Sequence, residues 1–223
     1  MESCLIVGAT RGIGAELARQ YAADGRRVIG TFRQAAIGAQ LAALGARALP
    51  ADVLADGWAP ELGRTLAGEA LGLVIINAGV AGARSEHVEA PDRSSFDTVM
   101  RTNVLASMQF IPVVAPLIAA GGKLVVISSR MGSIGNAGDP SWWLYRASKA
   151  ALNSVLKSAS FDLGSRGVVC MALHPGWVQT DMGGAAAQLS VAESVTAMRR
   201  VIAAANASHN GRFLNYNGEQ LEW

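Results

Sequence analysis

Short apolar runs recur along this chain on consecutive rather than alternating positions, and that pattern constrains the fold most. The clearest are CLIVGA (4–9), LGLVIINA (71–78), GKLVVISS (122–129) and GVVCMALH (167–174). A strand that is apolar at every position is covered on both faces, as strands of a parallel sheet are. RVIGTF (27–32), ARALPAD (46–52) and RFLNY (212–216) complete seven strand-like runs. Between them lie helical patterns at 13–24, 34–44, 56–69, 94–119, 145–164 and 193–206. Strand–helix alternation of this kind predicts an α/β doubly wound, mostly parallel seven-stranded sheet with helices on both faces. No repeat or linker interrupts it, so residues 1–223 read as a single Rossmann-type domain.

Local signals agree. SVAE (190–193) is a capping box ahead of the last helix. Gly25 and Gly164 follow helical runs, where a left-handed residue is wanted. Helix 94–119 is apolar nearly all round, through Phe96, Val99, Met100, Val104, Met108, Phe110, Ile111 and Val114. One face fits the sheet; the remainder suggests contact between subunits, or burial by neighbouring helices.

Other features narrow the function. A net charge of +2 with dispersed basic residues gives no phosphate-tracking stripe, so nucleic acid is not an expected partner. No apolar run is long enough to span a membrane. MESCLIVGAT has no basic leader region or cleavage site, so ordered structure is expected almost from Met1. Cys4 and Cys170 sit in strand-like runs and read as core residues rather than a disulfide, making the cytoplasm the expected compartment. No CxxC, HExxH or carboxylate cluster suggests a metal, and no GxSxG elbow suggests a serine hydrolase.

The loop GATRGIG (8–14) follows a strand and opens a helix. Glycines there let the backbone approach a pyrophosphate while the helix N-terminus faces its charge. Gly8, Thr10, Arg11, Gly12, Ile13 and Gly14 are therefore candidate cofactor contacts. The second strand ends TFR, with no carboxylate for a free ribose 2′-hydroxyl. Arg33 offers a fork for a 2′-phosphate, and Arg11 could share that side, which points to NADP(H) over NAD(H).

Tyr145 and Lys149 lie four residues apart in WWLYRASKAAL, on one face of a predicted helix. A nearby ammonium favours phenolate and lowers the ordinary phenol pKa, making a usable acid or base for an alcohol–carbonyl couple.

GATRGIG, INAG (76–79), Asn103, ISS (127–129), YRASK (145–149) and HPGWVQTDM (174–182), in that order, resemble the short-chain dehydrogenases/reductases. YRASKAALN, HPGWVQTDMGG and the ending GRFLNYNGEQLEW look most like the C-factor-like and sniffer-like carbonyl reductases. The resemblance implies an oxidoreductase moving hydride between NADP(H) and a ketone, aldehyde or alcohol. Tyr145 would be the proton donor and Lys149 its tuner and ribose contact. Ser129 would bind the substrate oxygen, and Asn103 would hold a water linking Lys149 to solvent. Asp52 and Val53 resemble the pair beside the adenine; Asn77, Ala78 and Gly79 would line the cofactor groove. Pro175, Gly176, Val178 and Thr180 would frame the carboxamide. The long helices 94–119 and 145–164 resemble the family's dimer surface, so a homodimer or homotetramer is implied.

Some residues stay ambiguous. Trp142 and Trp143 could wall a substrate pocket, or be core or subunit contact. GGAAAQL (183–189) resembles a reduced lid over an open pocket. His174 reads as a turn residue before Pro175; His87 and His209 read as surface. Two other functions compete. An NADP-holding signalling or regulatory protein with little turnover needs only the nucleotide site, so an intact Asn103–Ser129–Tyr145–Lys149 set counts against it. An extended epimerase or dehydratase needs a larger C-terminal region and a different glycine spacing.

Overall fold

The computed structural model describes residues 3–223; the expected onset of order at Met1 lies outside the described residues. Seven strands form one all-parallel sheet: β1 (Ser3–Val7), β2 (Arg27–Phe32), β3 (Arg47–Pro50), β4 (Leu71–Ile76), β5 (Ile118–Ile127), β6 (Val169–His174) and β7 (Arg212–Asn215). Their order is β3-β2-β1-β4-β5-β6-β7. The helices are α1 (Gly12–Ala23), α2 (Ala35–Ala43), α3 (Trp58–Thr65), α4 (Arg93–Met100), α5 (Ala106–Val114), α6 (Trp143–Gly164) and α7 (Val191–Ala204).

The consecutive apolar runs are buried on both faces, as expected for central parallel strands. Alternate residues feed two cores. Leu5 and Val7 pack with residues of α3, α5 and α6, whereas Cys4 and Ile6 pack with residues of α1, α2 and α7. Cys4 and Cys170 are buried free thiols, pushed up to about 12 by burial, which fits their reading as core residues. Strand order reverses between β1 and β4, the place where open α/β sheets bind ligands beyond the strand ends.

Three expectations need correction. The predicted helix 94–119 is α4, a π turn at Arg101–Leu105, α5 and a 3-10 turn at Ala115–Leu117. Pro112 and Pro116 remove backbone donors near its end, and Ile118 already pairs with Leu71 of β4. Secondly, Gly164 does not cap its helix: it is the last residue of α6, and Gly167 takes the left-handed conformation at φ 77°. Its lack of a side chain admits Asn210, whose amide nitrogen would lie 2.4 Å from a Cβ there. Thirdly, the all-round apolar face divides: Val99, Val104, Phe110, Ile111 and Val114 are buried, while Phe96 and Met108 stay 45% and 53% exposed. The capping box forms as read, with Ser190 Oγ accepting from Glu193 N and Glu193 Oε2 accepting from Ser190 N. Gly25 is left-handed after α1, at φ 74°.

Candidate active site

The glycine loop joins β1 to α1 at the sheet's switch point. Gly8 and Gly12 adopt φ of 86° and 50°, conformations that L side chains disfavour. Gly14 has no room for more: a Cβ would lie 2.0 Å from Gly8 O and 2.6 Å from Asn77 Nδ2. Asn77 donates to Gly8 O at 2.8 Å, and Gly8 N donates to Thr31 Oγ1 at 2.9 Å. Asn77 therefore braces the loop.

A cavity of about 220 Å³ opens beside this turn. Gly8, Thr10, Arg11, Arg33, Asp52, Val53, Asn77, Ala78 and Gly79 all line it. Asp52 Oδ1 accepts from Leu54 N, setting the turn at that wall. Thr102 also lines the cavity, and its buried hydroxyl has no partner. A polar hydrogen-bonding group in the cavity would meet that need. The Arg11 guanidinium instead pairs with Asp181, so it already has a partner. Arg33 has no carboxylate partner among the described residues. The turn, the orphaned hydroxyl and the unpaired guanidinium fit a phosphorylated dinucleotide.

A larger cavity, about 650 Å³, lies at the ends of β5, β6 and β7. Ile13, Ser129, Tyr145, Pro175, Gly176, Val178 and Thr180 line it. Gly176 is left-handed, and a Cβ would lie 2.5 Å from Leu189 and 3.0 Å from the Tyr216 ring. Thr180 sits opposite the glycine loop: its Cγ2 is 3.2 Å from a Cβ built on Gly12.

Tyr145 and Lys149 are both buried on α6. Burial pushes the Tyr145 phenol up to about 12, and hydrogen bonding to Ser129 is the influence that opposes the rise. Burial also brings Lys149 down to about 8. Its Nζ lies 5.7 Å from the Tyr145 ring centroid and donates to Ile127 O at 2.9 Å. The expected lowering of the phenol pKa is therefore not the balance in the ligand-free protein; desolvation wins.

Asn103 occupies the π turn between α4 and α5. Its Oδ1 accepts from Val80 N, while Nδ2 donates to Val80 O and Ser148 Oγ, each within 2.9 Å. Both amide hydrogens are spent on the protein, with one Oδ1 lone pair left. A Cβ on Gly79 would lie 3.3 Å from that oxygen and 3.3 Å from Lys149 Nζ, so this glycine keeps a corridor open between them.

The structure separates alternatives that the sequence left open. Trp142 lines the larger cavity, with its ring 6.4 Å from Tyr145 in edge-to-face geometry. It is also the one non-glycine residue with positive φ among the described residues, at 57°. Trp143 is not in the cavity wall. His174 belongs to that wall, and its buried Nδ1 has no partner. Its position before Pro175 drew attention to backbone rather than cavity. Residues 177–189 form a bonded hook: Gln179 N donates to Leu189 O, Leu189 N to Trp177 O, and Trp177 Nε1 to Gly183 O. No group of His, Cys, Asp and Glu could hold a metal among the described residues. His87 is exposed and His209 partly so.

The all-parallel sheet and its loops define a Rossmann-like α/β protein with a Ser–Tyr–Lys cluster at the strand ends. The chain belongs to the short chain dehydrogenase family, whose profile matches residues 2–189, and is an oxidoreductase of that family. It is 39% identical over 155 residues to C-signal of Myxococcus xanthus, covering 68% of this chain and 92% of that one. It is 31% identical to 1-hydroxy-2-glutathionyl-2-methyl-3-butene dehydrogenase of Rhodococcus sp. (strain AD45) across 100% of both chains. Among solved structures, the carbonyl reductase Sniffer of D. melanogaster superposes with a TM-score of 0.89 at 28% identity, covering 100% of each chain. A carbonyl reductase from Pseudomonas aeruginosa PAO1 in complex with NADP does so at 0.87 and 31%, also over 100% of each.

Proposed function

We propose that this protein is an NADP(H)-dependent reductase of ketones or aldehydes, reversible toward the alcohol. The observation that carries the reading is the Ser129–Tyr145 pair in the wall of the larger cavity, with Lys149 Nζ 5.7 Å from the Tyr145 ring centroid. The bound nicotinamide would supply the hydride. Tyr145 is held neutral by burial and is therefore charged with a proton to give as negative charge develops on the carbonyl oxygen. Ser129 hydrogen-bonds that oxygen. Lys149 has two N–H donors left after Ile127, available to a ribose, and remains mostly cationic at pH 7. Asn103 fixes the Val80 segment and faces Lys149 across Gly79, a route by which protons return to the tyrosine. Gly8, Gly12 and Gly14 would receive the pyrophosphate, Asp52 and Val53 the adenine, and Arg33 the 2′-phosphate. The NADP- and NADPH-bound carbonyl reductases of the same fold support that cofactor.

The exposed Phe96, Met108 and Phe161, the last at 73%, support association of copies through α4, α5 and α6. No described helix is long and apolar enough to cross a membrane.

The relative named C-signal favours a second reading, an NADP-holding signalling protein with little turnover. NADPH oxidation with aromatic and aliphatic carbonyls separates the two when wild type is run beside Tyr145→Phe. The reductase reading expects turnover that the variant loses at least 100-fold. Turnover equal in both removes Tyr145 from catalysis; tight NADPH binding without any turnover supports the signalling reading.

A further inference from the structure

We infer that the larger cavity is built for carbonyl substrates carrying a carboxylate, and that Arg130 is the residue that reads it. This rests on the reductase reading of the same site and adds a substrate class to it.

Arg130 directly follows Ser129 and lines the cavity. It opens the 3-10 turn Arg130–Gly132, which is fixed by three bonds: Met131 N to Ser129 Oγ, Gly132 N to Ser129 O and Ser133 N to Arg130 O. Arg130 thus belongs to a braced turn that starts at Ser129, in the wall of the same cavity.

Its charge is uncompensated. Eight ion pairs occupy other arginines of the described chain, and none includes Arg130. The contrast with Arg146, the other cation in the same wall, is direct. Arg146 is held by Asp139 at 2.8 Å and by Ser141 O at 2.8 Å. No Asp or Glu lines the cavity. Asp139 is spent on Arg146, and Glu219 lies outside the wall, 3.4 Å from the Asn215 amide. The cavity therefore carries net positive charge, and an anion supplies what the protein omits.

A second unmet group lies in the same wall. His174 Nδ1 is buried without a partner, and its neighbour across the sheet is Asn215, another wall residue. A neutral imidazole can offer one N–H to a carboxylate oxygen whose mate is held by Arg130. Trp142, Trp177 and Met182 supply apolar wall for the substrate body. The fitting class is a carbonyl compound with an aromatic or apolar body and a carboxylate on the far side from the reacting carbon.

The test compares 4-carboxybenzaldehyde with its methyl ester as substrates for NADPH-dependent reduction, in wild type, Arg130→Met and Arg130→Lys. Wild type is expected to favour the acid about tenfold in kcat/KM. Arg130→Met should bring that ratio near one, through KM, and Arg130→Lys should restore part of it. A wild-type ratio near one, or a ratio that Arg130→Met leaves intact, overturns the inference. A binding measurement keeps it testable without turnover: quenching of tryptophan fluorescence by benzoate in the NADP-loaded protein. Saturable quenching lost in Arg130→Met, with no aldehyde reduced, upholds the carboxylate site and refutes the reductase reading. Absence of both turnover and Arg130-dependent benzoate quenching refutes the carboxylate site.

Discussion

Lys149 Nζ points its nearest hydrogen bond at Ile127 O, 2.9 Å away, and not at the phenol of Tyr145 one helical turn before it. The lysine is anchored to the end of β5, the strand whose next residues are Ser128 and Ser129. This couples the cation to the strand end that carries Ser129, the proposed contact for the substrate oxygen. Lys149 Nζ lies 5.7 Å from the centroid of the Tyr145 ring.

A pH profile follows from that placement. Burial has brought Lys149 down to about 8, so it is cationic below that value and neutral above it. Tyr145, up to about 12, keeps its proton throughout the range. The kcat/KM for carbonyl reduction should be flat from pH 6 to about 8 and fall above it as Lys149 loses charge. Lys149→Met should lose at least about 100-fold in kcat/KM and flatten the profile, with circular dichroism confirming the fold. A profile that breaks near 8 in both proteins would assign the break to another group.

The glycine loop can be tested by stability rather than turnover. A Cβ on Gly14 meets Gly8 O at 2.0 Å, backbone that cannot move aside. Gly14→Ala should cost about 3 kcal/mol or more in urea unfolding. Gly25 is the contrast: φ is 74° but nothing lies within 4 Å of its Cβ position. Gly25→Ala should cost only the left-handed strain, about 1 kcal/mol. Equal losses at the two positions would show that sterics with Asn77 and Gly8 do not set the loop.

The strands were legible because parallel central strands bury both faces, so an unbroken apolar run has one economical explanation. The capping box was legible because Ser190 and Glu193 act within four residues. What the sequence hid depends on distance. Gly164 looked like a helix stop because local patterning does not reveal Asn210, which occupies the space its side chain would need. The π turn at Asn103 has no local sequence rule; it accompanies bonds from Asn103 to Val80 and Ser148, residues remote in sequence. Positions of Tyr145 and Lys149 followed from helical spacing, but the direction of the phenol shift did not. Spacing reports a neighbouring charge and says nothing of how completely the fold removes water.

The proposed preference for NADPH is assigned to Arg33. The guanidinium lines the smaller cavity without a carboxylate partner, whereas Arg11 already pairs with Asp181. Arg33→Ala should weaken NADPH binding about tenfold or more and leave NADH within about twofold. Arg11→Ala should have the smaller effect on that ratio. Fluorescence titration of both nucleotides decides it, and an undiminished NADPH preference in Arg33→Ala would move the 2′-phosphate contact elsewhere.

Trp142 combines an unfavourable backbone with a place beside the Tyr145 phenol. A left-handed tryptophan starts α6 without a side-chain cap, held by Trp142 N to Ser85 O at 3.0 Å. Asparagine tolerates that conformation. Trp142→Asn should keep the helix start and remove the ring, raising KM for aromatic ketones several-fold while kcat changes less. A proportionate loss in kcat alone would instead mean that the ring orients Tyr145.

His174 gives the fold a pH dependence that can be isolated. Burial, assisted by the Arg130 charge, brings its pKa down from the ordinary 6.5 to about 4. Between those values the unfolded chain binds a proton at this position and the folded chain does not. Stability therefore falls as pH drops through that window, by about 3 kcal/mol once pH 4 is reached. His174→Gln cannot take up the proton and should lose this part of the slope in urea unfolding between pH 7 and 4. Arg130→Met should recover part of it, because removing the nearby cation lets His174 charge more readily in the folded state. Identical slopes in wild type and His174→Gln would place the acid sensitivity in the carboxylates instead, and would leave the buried imidazole free to ionise where it stands.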